Sequence, residues 1–299
     1  MASPQFHWGW FGLHKSMTGI SEKIERRWLA ELKLGFEFDG RRTILSERKH
    51  IGPLIIQKPF YPEGEVCHIY LIHPPGGIVG GDELNLTISL NDNAHALITT
   101  PAATKFYRGN GYEAKQVQKI EVRAGCKMEW LPQETIFFSG CEAKTKTIIN
   151  LQDGAQFIGW EILCLGRPAS KEKFEQGFCR QMIEVWRDKE PVVIERSFLQ
   201  GGDDLLDSSW GMQSFSVMGT MLVINANETI LEAVRNNIEE QNLDNKKIKL
   251  SSTLIKDVLI CRVLANQAEA ARESFIAIWK ALRLQVMQRP AVAPRIWFT

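Results

Sequence analysis

Three segments of the sequence share one layout: "NAHALITTP" from Asn93, "AGCKMEWLP" from Ala124 and "DGAQFIGWE" from Asp153. Each opens with a turn residue beside Gly or Ala and then runs into a strand, and Pro101 and Pro132 hold the same place in the first two. The spacing of about 30 residues lies in the range where one supersecondary unit cannot bury its apolar face alone and must stack on the next. Stacked units are one reading of this pattern. A set of ordinary β-turns in a sandwich is the other.

The flanking sequence extends the β character. From about Trp28 to Gln200, runs such as "QKIEVRAGCKMEWL", "KTKTIINL", "QFIGWEILCL" and "RQMIEVWRDKEPVVIERSF" are rich in β-branched and aromatic residues and are broken by Gly, Asp, Asn and Pro. Residues 1–27 read as an N-terminal extension, with "EKIERRW" able to form a short helix. The last third changes character, with "SFSVMGTMLVINA" as a buried strand. Asn227 then caps a helix whose apolar face carries Ile230, Leu231, Val234 and Ile238. After "STLIKDVLICRVLA", read as one strand, Asn266 and Glu269 resemble a capping box. The helix that follows presents Ala271, Phe275, Ile278, Leu282 and Val286, and Pro290 closes it. Both helices need a surface to pack on, so "GGDDLLDSS" from Gly201 reads as a surface loop. The expected organisation is a single domain over residues 28–299, with a β body over about 28–200 and an α/β part over about 210–299.

Charge narrows the function classes. The 36 Lys and Arg nearly cancel the 35 Asp and Glu of the 299 residues. No global field therefore recruits nucleic acid or an anionic membrane. No apolar run approaches the roughly 20 residues of a spanning helix, and the N-terminus lacks signal-peptide architecture. Six scattered cysteines without a Cys-x-x-Cys pair suit reduced thiols and a cytoplasmic location.

Few segments carry chemistry. In "HPPGGIVGGD" (His73–Asp82), the pairs Gly76–Gly77 and Gly80–Gly81 flank Ile78 and Val79. Such density serves positive φ or close backbone approach, in a structural turn or in a loop that shapes a partner surface. It matches neither a P-loop nor a dinucleotide fingerprint. Cys67, His68 and His73 are the densest group of soft ligands. Cys67 and His73 are six residues apart, roughly 20 Å on an extended strand, so they cannot share an ion unless the chain folds back. Neither Gly-x-Ser-x-Gly nor His-Glu-x-x-His occurs, and no enzymatic activity is expected. Polar residues on strands (Thr99, Thr100, Thr104, Lys105 and Arg108; Gln133, Glu134 and Thr135; Glu161) could line a wet passage for a hard or borderline cation. A solvated sheet face is the plainer reading.

Six blocks in order carry a resemblance: "GPLIIQKPFYPEG" (Gly52–Gly64), "HPPGGIVGGD", "TTPAATKFYR" (Thr99–Arg108), "WLPQETIFFSG" (Trp130–Gly140), "GWEILCLGRPASKEKFEQG" (Gly159–Gly177) and "RPAVAPRIW" (Arg289–Trp297). Together they resemble the UreD/UreH family of urease accessory proteins over roughly residues 28–299. The resemblance implies a mainly β, β-helix-like scaffold with two α-helices in the C-terminal third. It implies partnership with a UreF-type protein, a UreG-type GTPase and the urease apoprotein. It further implies nickel in transit rather than stably bound, and GTP only through the partner GTPase. Matched motif to motif, His73, Gly76, Gly77, Gly80, Gly81 and Asp82 form a partner-binding or structural loop. Lys105 and Arg108 are expected to pair with acidic groups at an interface or within the scaffold, and Thr99, Thr100, Glu134 and Glu161 become candidates for the wall of a nickel passage. Cys141 departs from the small apolar residue expected there.

Overall fold

The computed structural model describes residues 28–244 and 248–298, so the short helix expected within residues 1–27 lies outside the described residues. The chain winds as a β-solenoid of about 4 turns. β1 (Leu29–Phe38) folds back through β2 (Thr43–Ile51) and β3 (Ile55–Ile56) before β4 (Cys67–Ile72) completes the first turn. The next turn is β5 (Glu83–Leu90), β6 (His95–Thr99) and β7 (Thr104–Phe106). β8 (Ala114–Val122), β9 (Lys127–Trp130) and β10 (Thr135–Phe137) follow, and then β11 (Cys141–Leu151) and the long β12 (Gln156–Leu165). β13 (Gly177–Arg187) starts a last turn that β14 (Glu190–Gln200) closes as a hairpin.

Two sheets result. In the first, β1, β5, β8, β11 and β13 stack in parallel, with β2 and β14 antiparallel at the edges. In the second, β4, β6, β9 and β12 stack in parallel. That sheet continues antiparallel through β15 (Val217–Ile224), β17 (Val258–Ala265) and β16 (Ile248–Ile255). A short third ladder runs from Ile78 through β7 and β10 to the end of β12. The stacked units are therefore the repeat of the sequence. Their register runs one residue out of the alignment that superposes Pro101 on Pro132 while β6 lies beside β9, where His95 faces Lys127. It falls into that alignment at β7 and β10, where Thr104 faces Thr135. The corners before β6, β9 and β12 carry Asn93, Gly125 and Gly154 at positive φ, which is why turn residues mark the repeat.

The burial patterns follow from what covers each sheet. β5 alternates between half-buried and buried residues because its outer face meets solvent, whereas β6 is buried throughout. The outer face of the second sheet is covered by α1 (Glu228–Asp244) and α2 (Ala268–Met287), with Ile230, Val234, Phe275, Ile278 and Leu282 packed on Leu97, Ile158 and Trp160. The terminal segment is held there too, Trp297 lying 6.0 Å from Trp160 and 5.6 Å from Trp279 between ring centres.

Asn227 caps α1 by accepting a 3.0 Å hydrogen bond from the Ile230 amide. Two expectations are corrected. "STLIKDVLICRVLA" is the core of a hairpin, because Lys256 takes a positive φ and turns the chain between Ile255 and Val258. The cap of α2 is Gln267, one residue beyond Asn266, and it caps without a side-chain hydrogen bond. Glu269 still lies in the first turn, where the helix dipole favours an acid.

Candidate functional site

The interior of the solenoid changes along the stack. Its early turns are filled by Leu84, Leu86, Ile88, Ile69, Ala96 and Ile98. In the later turns the same inward positions become Gln116 and Gln118 on β8, Thr145 and Thr147 on β11, Glu161 on β12 and Gln181 on β13, aligned by the parallel register. A cavity of about 120 Å³ lies among them, lined by Gln116, Gln118, Thr145 and Glu161 and reaching His73, Gly76, Gly77, Thr100, Thr104 and Lys105 at its outer end.

Glu161 sits at the inner end. It accepts hydrogen bonds from the Thr147 hydroxyl and, at 2.5 Å, from Gln181 Nε2. Burial raises its pKa above the ordinary carboxylate range, and the nearby Glu195 charge adds to this against the two hydrogen bonds. Gln118 Oε1 lies 3.0 Å from the same Thr147 hydroxyl and competes with Glu161 for its single proton. Gln116 Oε1 and Thr145 Oγ1 are buried with no hydrogen-bond partner among the described residues. Trp130 also lines the cavity, and its indole N–H is buried without a partner among the described residues, so the space is edged by polar atoms of both kinds, donor and acceptor, that the protein does not satisfy.

The glycine loop forms the rim. Ile78 is fully buried and bridges to Phe106, its amide donating to the Lys105 carbonyl at 2.7 Å. Asp82 Oδ2 accepts from the Val79 amide at 3.0 Å and closes the loop. Gly80 admits no side chain, since a Cβ there would lie 2.3 Å from the Gly109 carbonyl oxygen. Gly81 has φ +95°. Both uses of glycine, positive φ and close approach, occur in one loop.

The structure separates the other candidates. Thr100 lines the cavity and accepts from the Gln133 amide at 2.9 Å. Thr99 points to the helix face, where it donates to the Leu131 carbonyl at 2.6 Å and accepts from Trp297 Nε1 at 2.9 Å. Glu134 also faces the helices, 3.5 Å from Arg272 on α2. Thr99 and Glu134 therefore do not share the cavity with Glu161. Lys105 lines the rim of the cavity, and Arg108 lies by Gly140. Neither pairs with a carboxylate among the described residues. Cys67 is buried inside the solenoid, and His68 points to the opposite face. Among the described residues, no group of three His, Cys, Asp or Glu side chains could hold a metal ion. Burial pushes the Cys141 thiol up to about 12, so it stays protonated and apolar.

The family model described as "UreD urease accessory protein" matches residues 29–298. The chain belongs to the UreD family of urease accessory proteins. It is 44% identical over 278 residues to the urease accessory protein UreD of Dechloromonas aromatica, covering 91% of this chain and 95% of that protein. It is 42% identical over 276 residues to UreD of Alcanivorax borkumensis, covering 91% and 92%. It is 40% identical over 288 residues to UreD of Citrobacter koseri, covering 96% and 94%.

This UreD-family chain holds a second buried polar group that the sequence reading missed. Arg283 on α2 lies fully buried between Glu129 of β9 and Glu63. It donates to Glu129 Oε2 through Nε at 2.9 Å and to both Glu63 oxygens at 2.8 Å. It donates also to the Pro290 carbonyl. Trp279 Nε1 donates to Glu129 Oε2 at 2.7 Å, His95 bonds Glu129 at 2.8 Å, and His68 bonds Glu63 at 2.7 Å. Burial works to raise the Glu129 pKa, but the hydrogen bonds and charges of His95 and Arg283 outweigh it and hold it at about 2. The signal in the sequence was a charge within an apolar pattern: Glu129 inside "CKMEWL", and Arg283 beside Leu282 on the buried face of its helix.

Proposed function

We propose that this chain acts in urease maturation as a non-enzymatic scaffold which, with a UreF-type protein and a UreG-type GTPase, docks on the urease apoprotein and assists nickel insertion. The observation that carries the reading is the cavity running from the His73–Gly77 rim to the buried Glu161 carboxylate. At the inner end, where Gln116, Gln118, Thr145 and Glu161 line the cavity, carboxylate, hydroxyl and amide oxygens suit transit, because they hold a borderline cation such as Ni²⁺ less tightly than thiolate or imidazole. The proposed wall comprises Thr100 and Glu161, joined by Gln116, Gln118 and Thr145. Thr99 and Glu134 serve instead to fasten the sheet to Trp297 and α2. GTP enters only through the partner GTPase, since no P-loop occurs here.

The experiment is co-expression of urease with its accessory proteins at limiting nickel, with this chain, without it, and with Glu161→Gln. The substitution keeps shape and hydrogen-bonding capacity while removing the negative charge. The expected result is urease of low nickel content and low activity when the chain is omitted, and partial loss with Glu161→Gln in an assembly that still forms. Normal nickel loading by Glu161→Gln would refute the passage.

A further inference from the structure

The two sheets do not end together. Past β11 the first sheet adds β13 and β14, while past β12 the second adds β15, β17 and β16. Glu195 of β14 accepts from Arg262 of β17 and, at 3.4 Å, from Thr220 of β15, so β14 lies over those two strands. No strand among the described residues lies over β16. Its inward row, set by Ser251 beside Arg262, is Lys249, Ser251, Thr253 and Ile255, and all four are exposed. Ile248 and Leu250 on its other face are buried beneath α1. Strands of one sheet stand about 4.8 Å apart, and facing sheets about 10 Å. One strand added to the open edge of β14 would therefore cover β16 and level the two sheets.

That edge is the less guarded of the sheet's two. β2, at the other end, exposes Arg48, Lys49 and His50, charges of the kind that keep an edge from pairing. β14 runs for 11 residues and leaves Ile194 and Phe198 each 46% exposed. The depression of about 320 Å³ over β16 and β17 is lined by Lys249 and Arg262 and by no carboxylate. Glu195 already compensates Arg262, whereas Lys249 meets the neutral Gln213 and Phe215. We propose that the edge of β14 and the inward face of β16 form a docking slot for one extended segment of a partner protein, with carboxylates at alternate positions along it. Main-chain hydrogen bonds to β14 hold the segment. Its inward carboxylates meet Lys249, and its outward apolar side chains lie beside Ile194 and Phe198. A second copy cannot fill the slot through its own β14, because the two-fold that joins two such edges drives each β16 onto the other copy's β17. The depression shares no lining residue with the cavity, so this docking is independent of the passage.

The probe is a fluorescently labelled peptide, Thr-Val-Glu-Val-Glu-Val-Thr-Val, titrated into the full chain alone and followed by anisotropy. Saturable binding is expected. Lys249→Glu should weaken it roughly five- to tenfold, the loss of one partly exposed ion pair together with a new like-charge contact. A peptide with Lys in place of both Glu should reverse the order and bind Lys249→Glu more tightly than the parent. A strand presents alternate N–H groups to one edge, so of the two alternately N-methylated peptides only one should bind. Binding of both equally, or an affinity that Lys249→Glu leaves unchanged, overturns the proposal. So does failure of the peptide to bind the full chain, as would follow if the chain's own residues 1–27 filled the slot. A dimer in sedimentation that the peptide dissociates would give the slot to a second copy and overturn the proposal as well.

Discussion

Two polar regions are buried on opposite faces of the same sheet, and they are built on opposite terms. On the helix face, every carboxylate oxygen of Glu63 and Glu129 is taken, by Arg283, Trp279, His68 and His95. On the inward face, Glu161 is held only by neutral donors, and Gln116 and Thr145 keep unpartnered oxygens beside a cavity. The first group has a cation to balance its carboxylates and no room. The second has room and no cation of its own at Glu161. Carboxylates fully paired with a cation make a fastening, here between α2 and the solenoid, while unpaired polar atoms around a space make a place for something that comes and goes.

The largest effect should come from breaking the saturated region. Arg283→Met leaves two buried carboxylates without their cation, a change that costs about 3–5 kcal/mol. Denaturant unfolding should show a loss of that order, or the chain should become insoluble. A loss below about 1 kcal/mol would mean that the cluster does not fasten α2.

An acid titration of the parent should show a smaller effect of the same origin. Glu129 is held at about 2, and Glu63 is also lowered by His68 and Arg283 against the burial that would raise it. Their pairing therefore adds stability that is fully present above the ordinary carboxylate pKa of about 4.3. It is lost as pH falls through about 2. Unfolding followed from pH 6 to 2 should show stability declining below about pH 4. A flat profile over that range would contradict the assigned charges.

The smallest stability effect should come from the unsaturated region. Glu161 prefers to be protonated in the fold, so its contribution has the opposite sign: present at low pH, and lost as pH rises through its raised pKa. Glu161→Gln removes this cost. At pH 7 its stability should equal or exceed the parent's by no more than about 1 kcal/mol, while nickel loading falls. Destabilisation on the scale of Arg283→Met would erase the distinction between the two regions and make Glu161 another fastening.

Local pattern was legible in the sequence. Turn residues at Asn93, Gly125 and Gly154 marked corners because only a few residue types take positive φ cheaply. The apolar faces of both helices and the cap at Asn227 followed from spacing and hydrogen-bonding chemistry along one segment. The hairpin at Lys256 escaped because its turn lacks the Asn-Gly or Asp-Gly signal and is imposed by strand pairing. Which side of a strand each polar residue faced was decided by the tertiary structure alone. Thr99 and Thr100 are adjacent in sequence, yet one is pinned under Trp297 and the other lines the cavity. Glu63, Glu129 and Arg283 look like solvated charges until α2 closes over the sheet, because a buried ion cluster is made by residues from distant segments. The repeat in the sequence determined that the chain would stack. Register and the covering helices decided which of its polar side chains became a fastening and which the edge of a passage.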